Sequence, residues 1–558
     1  MINKLDFAGQ DEKIKKYVRP QKILLKRGNV LEEENLFVER PMQISTSEPH
    51  CAVFSNGADG ENAMILLDFG VEFAGGIRIL TDFIADGRTP LMRITFGESA
   101  AEALSEIGFK NATNDHSIRD MDIKLSMFSD MEFGQTGFRF VRIELLEKNF
   151  AVRIKSILGV FTYRELEYKG TFECSDPRLN EIYDVCAYTC HLNMQSMLWD
   201  GIKRDRLVWI GDMHPEMLTV RTVFGNNKVI EDGLKFTSAQ FPLPQYPNNM
   251  VTYAMWWLLI AYDWYFYTGE AALINEHKQY ILTLLQRLCS YVDDSGFDIL
   301  DKIEGGYFLD WPTFHSKEAV AGVRALFSMA LSAGEKLCEL LYDTELSEQC
   351  RKKRSILNRF IPNEYNSKVP AAFMVLADQL DAKKTADEIL LPGGVNGMST
   401  FLSYYILSAI AKADKTAEAL VMLKTYYGGM LDAGATTFWE DFDINWLKDG
   451  ASLDRIPSEN QYDIHGDNGA HCYVGYRHSL CHGWSSGPTA FLSEQVLGIQ
   501  IAEPGCKKVR IKPNLGHLEW AKGTFSTPYG IVSVSHVKQP NGSVKTEFTL
   551  PDGVDVID

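Results

Sequence analysis

Between residues 20 and 165, apolar and polar positions alternate in short runs broken by Gly, Asn or Asp: MILLDFGVEF, GGIRILTDFI, LMRITFGES, FRFVRIELLE and RIKSILGVFTY. A period of two puts every second side chain on one face, so these runs predict an antiparallel β-sandwich, with FGVEFAGGIRI and FGQTGFRFVRIELL as paired inner strands. Near residue 170 the period changes. DPRLNEIYDVCAYTCHLNMQSM carries apolar residues three and four apart behind an Asp-Pro start, which predicts a capped helix. Helical periodicity then continues to about residue 500, most clearly over 248–270, 271–294, 317–343 and 399–427. Roughly ten to twelve helices, paired by short turns such as TGE, suit an α/α toroid of helical hairpins, with a solenoid as the open alternative. Past residue 500 alternation returns in KKVRIKPN, GTFSTPYGIVSVSHV and SVKTEFTL, with PNG as a turn. The expected organisation is multidomain: an N-terminal β-sandwich over 1–165, a helical catalytic domain over 166–500 and a small C-terminal β-domain over 501–558. The last is too short to bury a core of its own and should pack on the helices.

Composition narrows the classes of partner. The 558 residues are 45% hydrophobic and 23% charged, an ordinary globular balance in a chain long enough for several cores. A net charge of −18 repels phosphate backbones and anionic lipid, which argues against nucleic acid and membrane as partners. The ten cysteines contain no CxxC pair and read as reduced core thiols. The start, MINKLDFAGQDEKIKK, has no apolar signal region, and no window of 18 apolar residues occurs. A cytoplasmic location follows if the chain is complete, and a periplasmic or secreted one if a signal peptide has been removed.

The densest chemistry lies in residues 199–212, WDGIKRDRLVWIGD, which combine Asp200, Asp205 and Asp212 with Lys203, Arg204, Arg206, Trp199 and Trp209. Set between two helical patterns, this is a loop, where functional side chains are commonly displayed. A salt-bridged surface loop would account for the charges, whereas the indoles favour a sugar site, because their faces suit the C–H faces of a pyranose. A second carboxylate, Glu440, follows Trp439 in GATTFWEDFD; the alternative there is a capped helix start with solvated acids. Two separated carboxylates beside aromatics are what glycosidic cleavage needs, one protonated for the leaving oxygen and one as base for water. An apolar wall raises the pKa of the one that acts as acid. Asp310-Trp311, Trp256 with Trp257, Asp263 and Trp264, and His482 with Trp484 are weaker candidates, since each alone fits core or helix-end packing. His482 stands out among them because Gly483 lets backbone approach a ligand. No GxxxxGK[ST], HExxH or GxSxG occurs, and His465, His471, His478 and His482 match no metal-ligand spacing, so neither metal nor cofactor is expected.

Together DGIKRDRLVWIGD, GATTFWE and SLCHGWSSGPTAFLSEQVLGI resemble, in order and spacing, the α-L-rhamnosidases of glycoside hydrolase family 78. The resemblance spans residues 165–535, including PGCKKVRIKPNLGHLEWAKG, which is similar to the family's C-terminal β-domain; the N-terminal region resembles its jelly-roll-like domain weakly. It implies a central (α/α)6 toroid and inverting hydrolysis that releases terminal α-L-rhamnose from rhamnosides or oligosaccharides. Asp205 falls at the family's general acid and Glu440 at its general base. Asp200, Arg204, Trp209, Asp212, Trp256, Asp310, Trp311, Trp439 and His482 are the candidate substrate-binding residues. Three departures stand out: Gly201-Ile202 replaces Cys-Pro, Leu309 replaces Gly, and Asp205 replaces Glu. Aspartate is one methylene shorter, so the backbone must come closer or the sugar must bind in another pose. A non-catalytic carbohydrate-binding protein on the same toroid and a glycosidase of different sugar specificity are the competing readings. A lyase or phosphorylase ranks below them because the site is acid-rich. The expected partner is a small glycoside or oligosaccharide, and the oligomeric state is open, with a homodimer as one option.

Overall fold

A computed structural model of the chain describes residues 13–557, apart from 47, 85–86, 297, 301–307, 312–315, 363–364, 459–460 and 472. The alternating N-terminal runs form one nine-stranded antiparallel sheet. Its middle is the strand Met64–Thr81, which pairs with Asp130–Leu145 on one side and Phe150–Arg164 on the other. The two runs expected as inner partners are therefore neighbours. The long strand shifts register between Asp68 and Phe73 and again between Gly75 and Ile77, and these bulges bend it so that it exchanges partners along its length. Glycine is required at the second bulge: Gly75 has φ +148°, and a Cβ there would lie 1.7 Å from the Val160 carbonyl oxygen. The core of this unit is phenylalanine-rich, with Phe73 and Phe96 packed against Phe138 at ring separations of 4.6 and 4.7 Å.

From the strand Leu91–Gly97 the chain leaves the sheet towards the helices. There the short helix Ala100–Leu104 is capped by Ser99, whose hydroxyl accepts the Glu102 N–H. The Ala100 N–H donates to the Leu453 carbonyl at 2.9 Å, tying this excursion to the helical region.

Helices begin where the period changed. Asp176 caps Pro177–Asn193 by accepting the Arg178 N–H, with proline in the first turn. The helix Val251–Thr268 is largely apolar and is buried over most of its length, ending at Gly269 in the left-handed conformation. The pattern over 271–294 resolves into Ala272–Glu276 and Lys278–Ser290, and that over 399–427 into Ser403–Lys412 and Thr416–Asp432. In the second case Asp414, at φ +62°, makes the break. Among the described residues no helix is long and apolar enough to cross a membrane.

The C-terminal strands form two small sheets. Trp520–Thr527, Gly530–Lys538 and Val544–Thr549 make three strands of a four-stranded sheet. Its fourth, edge strand is Thr171–Cys174, from just before the first long helix. Residues 171–174 thus pair outside the helical span assigned from periodicity, because a four-residue strand is too short to register against the helical pattern that follows it. One continuous core runs from the helices into these sheets through Tyr267, Phe525, Val532 and Val534. The nine described cysteines are buried and free.

Candidate active site

Residues 199–212 form an irregular loop between Pro177–Asn193 and Met213–Thr219, and they lie inside the molecule. Asp200, Lys203, Arg204 and Asp212 are all buried, which removes the reading of a solvated surface loop. The loop closes on itself through Asp200, whose N–H donates to the Leu207 carbonyl while its Oδ1 accepts the Leu207 N–H at 2.9 Å. Within this closure Asp205 and Arg206 both take positive φ, +53° and +56°, a strained pair for residues other than glycine. The Asp205 side chain lies beside that of Arg204.

Arg204 is the hub of the site. Its Nη1 donates to Asp205 Oδ1 at 3.1 Å, its Nη2 to Glu440 Oε1, and its Nε to the Arg477 carbonyl at 3.1 Å, while the guanidinium lies over the Tyr473 ring. Glu440 is held again from the far side by the Ser479 N–H, at 3.2 Å from Oε2. Burial pushes the Glu440 carboxyl above the ordinary glutamate range, and Arg204 only partly opposes this.

Three carboxyl groups converge on His482. Its Nε2 stands 3.5 Å from Glu440 Oε1, 3.7 Å from Asp200 Oδ2 and 4.0 Å from Asp212 Oδ2, and its ring packs on Trp484. Burial, and then the charge of Arg204, pushes the imidazole well below its usual value, so it is neutral. Ionised acids would favour its cation. Asp200 and Asp212 are, however, pushed well above the carboxylate range, mainly by burial, and in their protonated form supply little negative charge. Asp212 also accepts the Tyr253 hydroxyl at 3.1 Å.

These groups line a cavity of about 380 Å³, whose other walls are aromatic: Trp209, Tyr253, Phe308, Trp311, Tyr473 and Trp484. The volume suits one sugar ring with part of its neighbour. Asp200, Arg204, Trp209, Asp212, Trp311 and His482 therefore stand together with Asp205 and Glu440, as the motifs suggested.

Trp256, Asp310 and Trp439 do not line it. Trp256 is fully buried between His214, Phe373 and Tyr405, a packing residue on a largely apolar helix, which corrects its assignment as a sugar contact. Asp310 is buried beneath the wall, where its Oδ1 accepts the Trp311 N–H at 2.8 Å and burial pushes its pKa up to about 7. Trp439 packs edge-on against Phe442 and is likewise interior. The tryptophan preceding Glu440 thus fixes the segment rather than contacting the cavity.

Tyr253, Phe308, Tyr473 and Arg477 line the cavity without having been singled out. Tyr253 sits in the first turn of an apolar helix, and Tyr473 and Arg477 lie in the histidine-bearing stretch 465–482, so nothing in their own patterns marks them. The N-terminal unit also reaches the site. His116 Nδ1 lies 3.3 Å from Asp205 Oδ1, and Asp115 accepts Arg477 Nε at 2.9 Å. Two histidines of the stretch are structural: His465 bonds Ser99 and the His478 carbonyl, and His478 Nε2 accepts the Asp441 N–H.

Residues 167–370 match the bacterial alpha-L-rhamnosidase six-hairpin glycosidase domain, and residues 498–557 match the bacterial alpha-L-rhamnosidase C-terminal domain. An alpha-L-rhamnosidase of Formosa agariphila is 22% identical over 459 residues, covering 72% of this chain and 44% of the relative, so the chain spans less than half of that protein's length. Among solved structures, the family 78 rhamnosidase of Bacillus sp. GL1 superposes with a TM-score of 0.75 at 20% identity, over 94% of this chain and 55% of that one. A rhamnosidase from Klebsiella oxytoca with rhamnose bound gives 0.67 at 19%, over 86% of this chain and 95% of that one. Over residues 167–370 and 498–557 the chain thus matches the six-hairpin glycosidase and C-terminal domain models of bacterial alpha-L-rhamnosidases, and it resembles the α-L-rhamnosidases of glycoside hydrolase family 78 in motif and in fold.

Proposed function

We propose that this protein is an inverting glycoside hydrolase that releases terminal α-L-rhamnose, with Asp205 as general acid and Glu440 as general base. The observation that carries this reading is the single guanidinium of Arg204 joining the two carboxyl groups at the rim and floor of one buried, aromatic-walled cavity. Exposure separates the roles. The Asp205 side chain retains 18% of its accessible surface, against 2% for Glu440, 3% for Asp200 and 5% for Asp212. An aglycone must leave towards solvent, so the carboxyl that protonates its oxygen belongs at the open edge. The base, which activates a water on the opposite face of the ring, belongs inside. An upward push on Glu440 brings it closer to neutrality, where a base combines adequate ionisation with proton affinity. Asp200, Asp212 and neutral His482 offer both donors and acceptors to ring hydroxyls, and Trp209 and Trp311 offer faces for the sugar's C–H edge and 6-methyl group.

In this reading the helices close as an (α/α)6 toroid. The three units are 1–165, 166–500 and 501–558, with the strand Thr171–Cys174 lent to the last. Nucleophilic participation by a carboxylate would require the two groups about 5–5.5 Å apart, whereas inversion leaves about 6.5–9.5 Å for a water. The test is hydrolysis of p-nitrophenyl α-L-rhamnoside with the first-formed anomer identified by NMR. Inverted product is expected. Hydrolysis of another aryl glycoside but not this one would overturn the sugar assignment, and rhamnoside binding without turnover would favour a binding protein.

A further inference from the structure

Behind the Glu440 segment, the N-terminal unit buries three glutamates, Glu72, Glu98 and Glu102, at its boundary with the helical region. Burying a carboxylate costs several kcal/mol unless it is paired and hydrogen-bonded. The partner is Lys203, the residue before Arg204: its Nζ lies 2.7 Å from Glu98 Oε2 and 3.3 Å from Glu102 Oε1. Glu98, Glu102 and His465 are spaced closely enough to hold a metal ion, and the Lys203 ammonium stands against both carboxylates of that group.

The cluster reaches the candidate base along a short chain of bonds. Glu98 Oε2 accepts the Leu480 N–H at 2.7 Å, and its Oε1 accepts the Ser479 hydroxyl at 3.3 Å. Ser479 in turn exchanges two bonds with Glu440: its N–H donates to Oε2 at 3.2 Å and its carbonyl accepts the Glu440 N–H at 3.0 Å. Lys203 Nζ grips the carbonyls of Tyr476 and His478 at 2.9 and 2.6 Å, while Arg204 grips that of Arg477 between them. Two consecutive cations thus hold three consecutive carbonyls. One of them faces the N-terminal glutamates and the other faces Glu440. Glu72 completes the support: its Oε2 lies 3.1 Å from the Thr437 hydroxyl oxygen, which stands 2.8 Å from the Leu480 carbonyl oxygen.

We propose that Glu98 and Lys203 are positioning residues for Glu440, through which the N-terminal sheet unit sets the geometry of the active site. The proposal rests on the reading of Glu440 as base. It predicts that Glu98→Ala and Lys203→Met, in the full chain, lower kcat about tenfold or more while KM stays within about threefold. Glu98→Gln, which keeps an acceptor for the Leu480 N–H, should recover part of the loss.

The charges give a second readout. Glu440 is faced by Arg204, Asp205, Asp200, Asp212 and His482, none of which these variants alter. Loss of the negative Glu98 should move the acidic limb of kcat/KM to lower pH, and loss of the positive Lys203 should move it to higher pH. Loosened packing alone would not produce shifts of opposite sign. Folded variants with wild-type kcat and an unmoved limb overturn the proposal; if Lys203→Met does not fold, Glu98→Ala and Glu98→Gln decide it alone. Failure of the wild type to cleave rhamnosides would instead count against the functional reading. In that event a crystal structure of Glu98→Ala decides: Glu440 should have left Ser479 or Arg204, and retention of both contacts overturns the proposal.

Discussion

Arg204 Nη1 donates to Asp205 at 3.1 Å and its Nη2 to Glu440, 236 residues further along the chain. One planar cation therefore sets the spacing between the proposed acid and base. Lysine preserves the charge but offers a single point donor on a flexible stem and cannot hold both carboxyls in one plane. Arg204→Lys is expected to lower kcat by about 100-fold, of the order found when one preorganised electrostatic contact is lost. Steady-state kinetics on an aryl rhamnoside check this, and a loss under about threefold would show that the bridge is not needed.

For Asp205 the leaving group is the diagnostic. An acid that protonates the departing oxygen matters little when that oxygen already leaves easily. Asp205→Asn should lose about 10³-fold on alkyl rhamnosides and far less on the 2,4-dinitrophenyl glycoside. Equal losses on both would assign Asp205 another role.

The tryptophans divide by position. Trp209→Ala and Trp311→Ala remove faces of the cavity and should raise KM roughly tenfold, equivalent to about 1.4 kcal/mol of lost contact, with little effect on melting. Trp256→Ala empties a fully buried site and should cost about 3–5 kcal/mol of stability while leaving KM unchanged. Thermal melts beside kinetics separate the two outcomes.

Burial raises Asp200, Asp212 and Glu216 well above the carboxylate range. Groups whose folded pKa is raised contribute stability that is full below their unfolded value, about 4, and is lost as pH climbs through the folded value. The contribution of these three carboxyls to the melting temperature should therefore fall as pH rises. Glu216, buried against Gly483, is the cleanest probe. Glu216→Gln should melt near the wild type at pH 4 and above it at pH 9. The reverse order would show that Glu216 is ionised in the folded protein.

Activity should follow the opposite sign. A base works ionised, so kcat/KM should rise with pH through the Glu440 pKa, on a limb lying above the ordinary glutamate range because burial outweighs Arg204. A limb at or below that range would argue that Arg204 dominates.

Much of this was legible along the chain. Period two marked the strands later found in the N-terminal sheet, the change of period near residue 170 marked the first long helix, and Asp176-Pro177 marked its cap. These are local consequences of where side chains point. The acids and indoles of residues 199–212 were equally visible, because so dense a mixture is unusual in a loop. Periodicity could not separate Trp256 from Trp209, since both are indoles in apolar surroundings and only packing decides which face meets a cavity. Nor could it find Tyr253, Tyr473 or Arg477, or the grip of Glu98 and Lys203 on the Glu440 segment. Sequence by itself determined the elements and the chemical inventory, because hydrophobic period and residue type act within a few positions. Only the tertiary structure decided which groups share the cavity and which carboxyls are pushed above their usual range, because burial and contact depend on segments hundreds of residues apart.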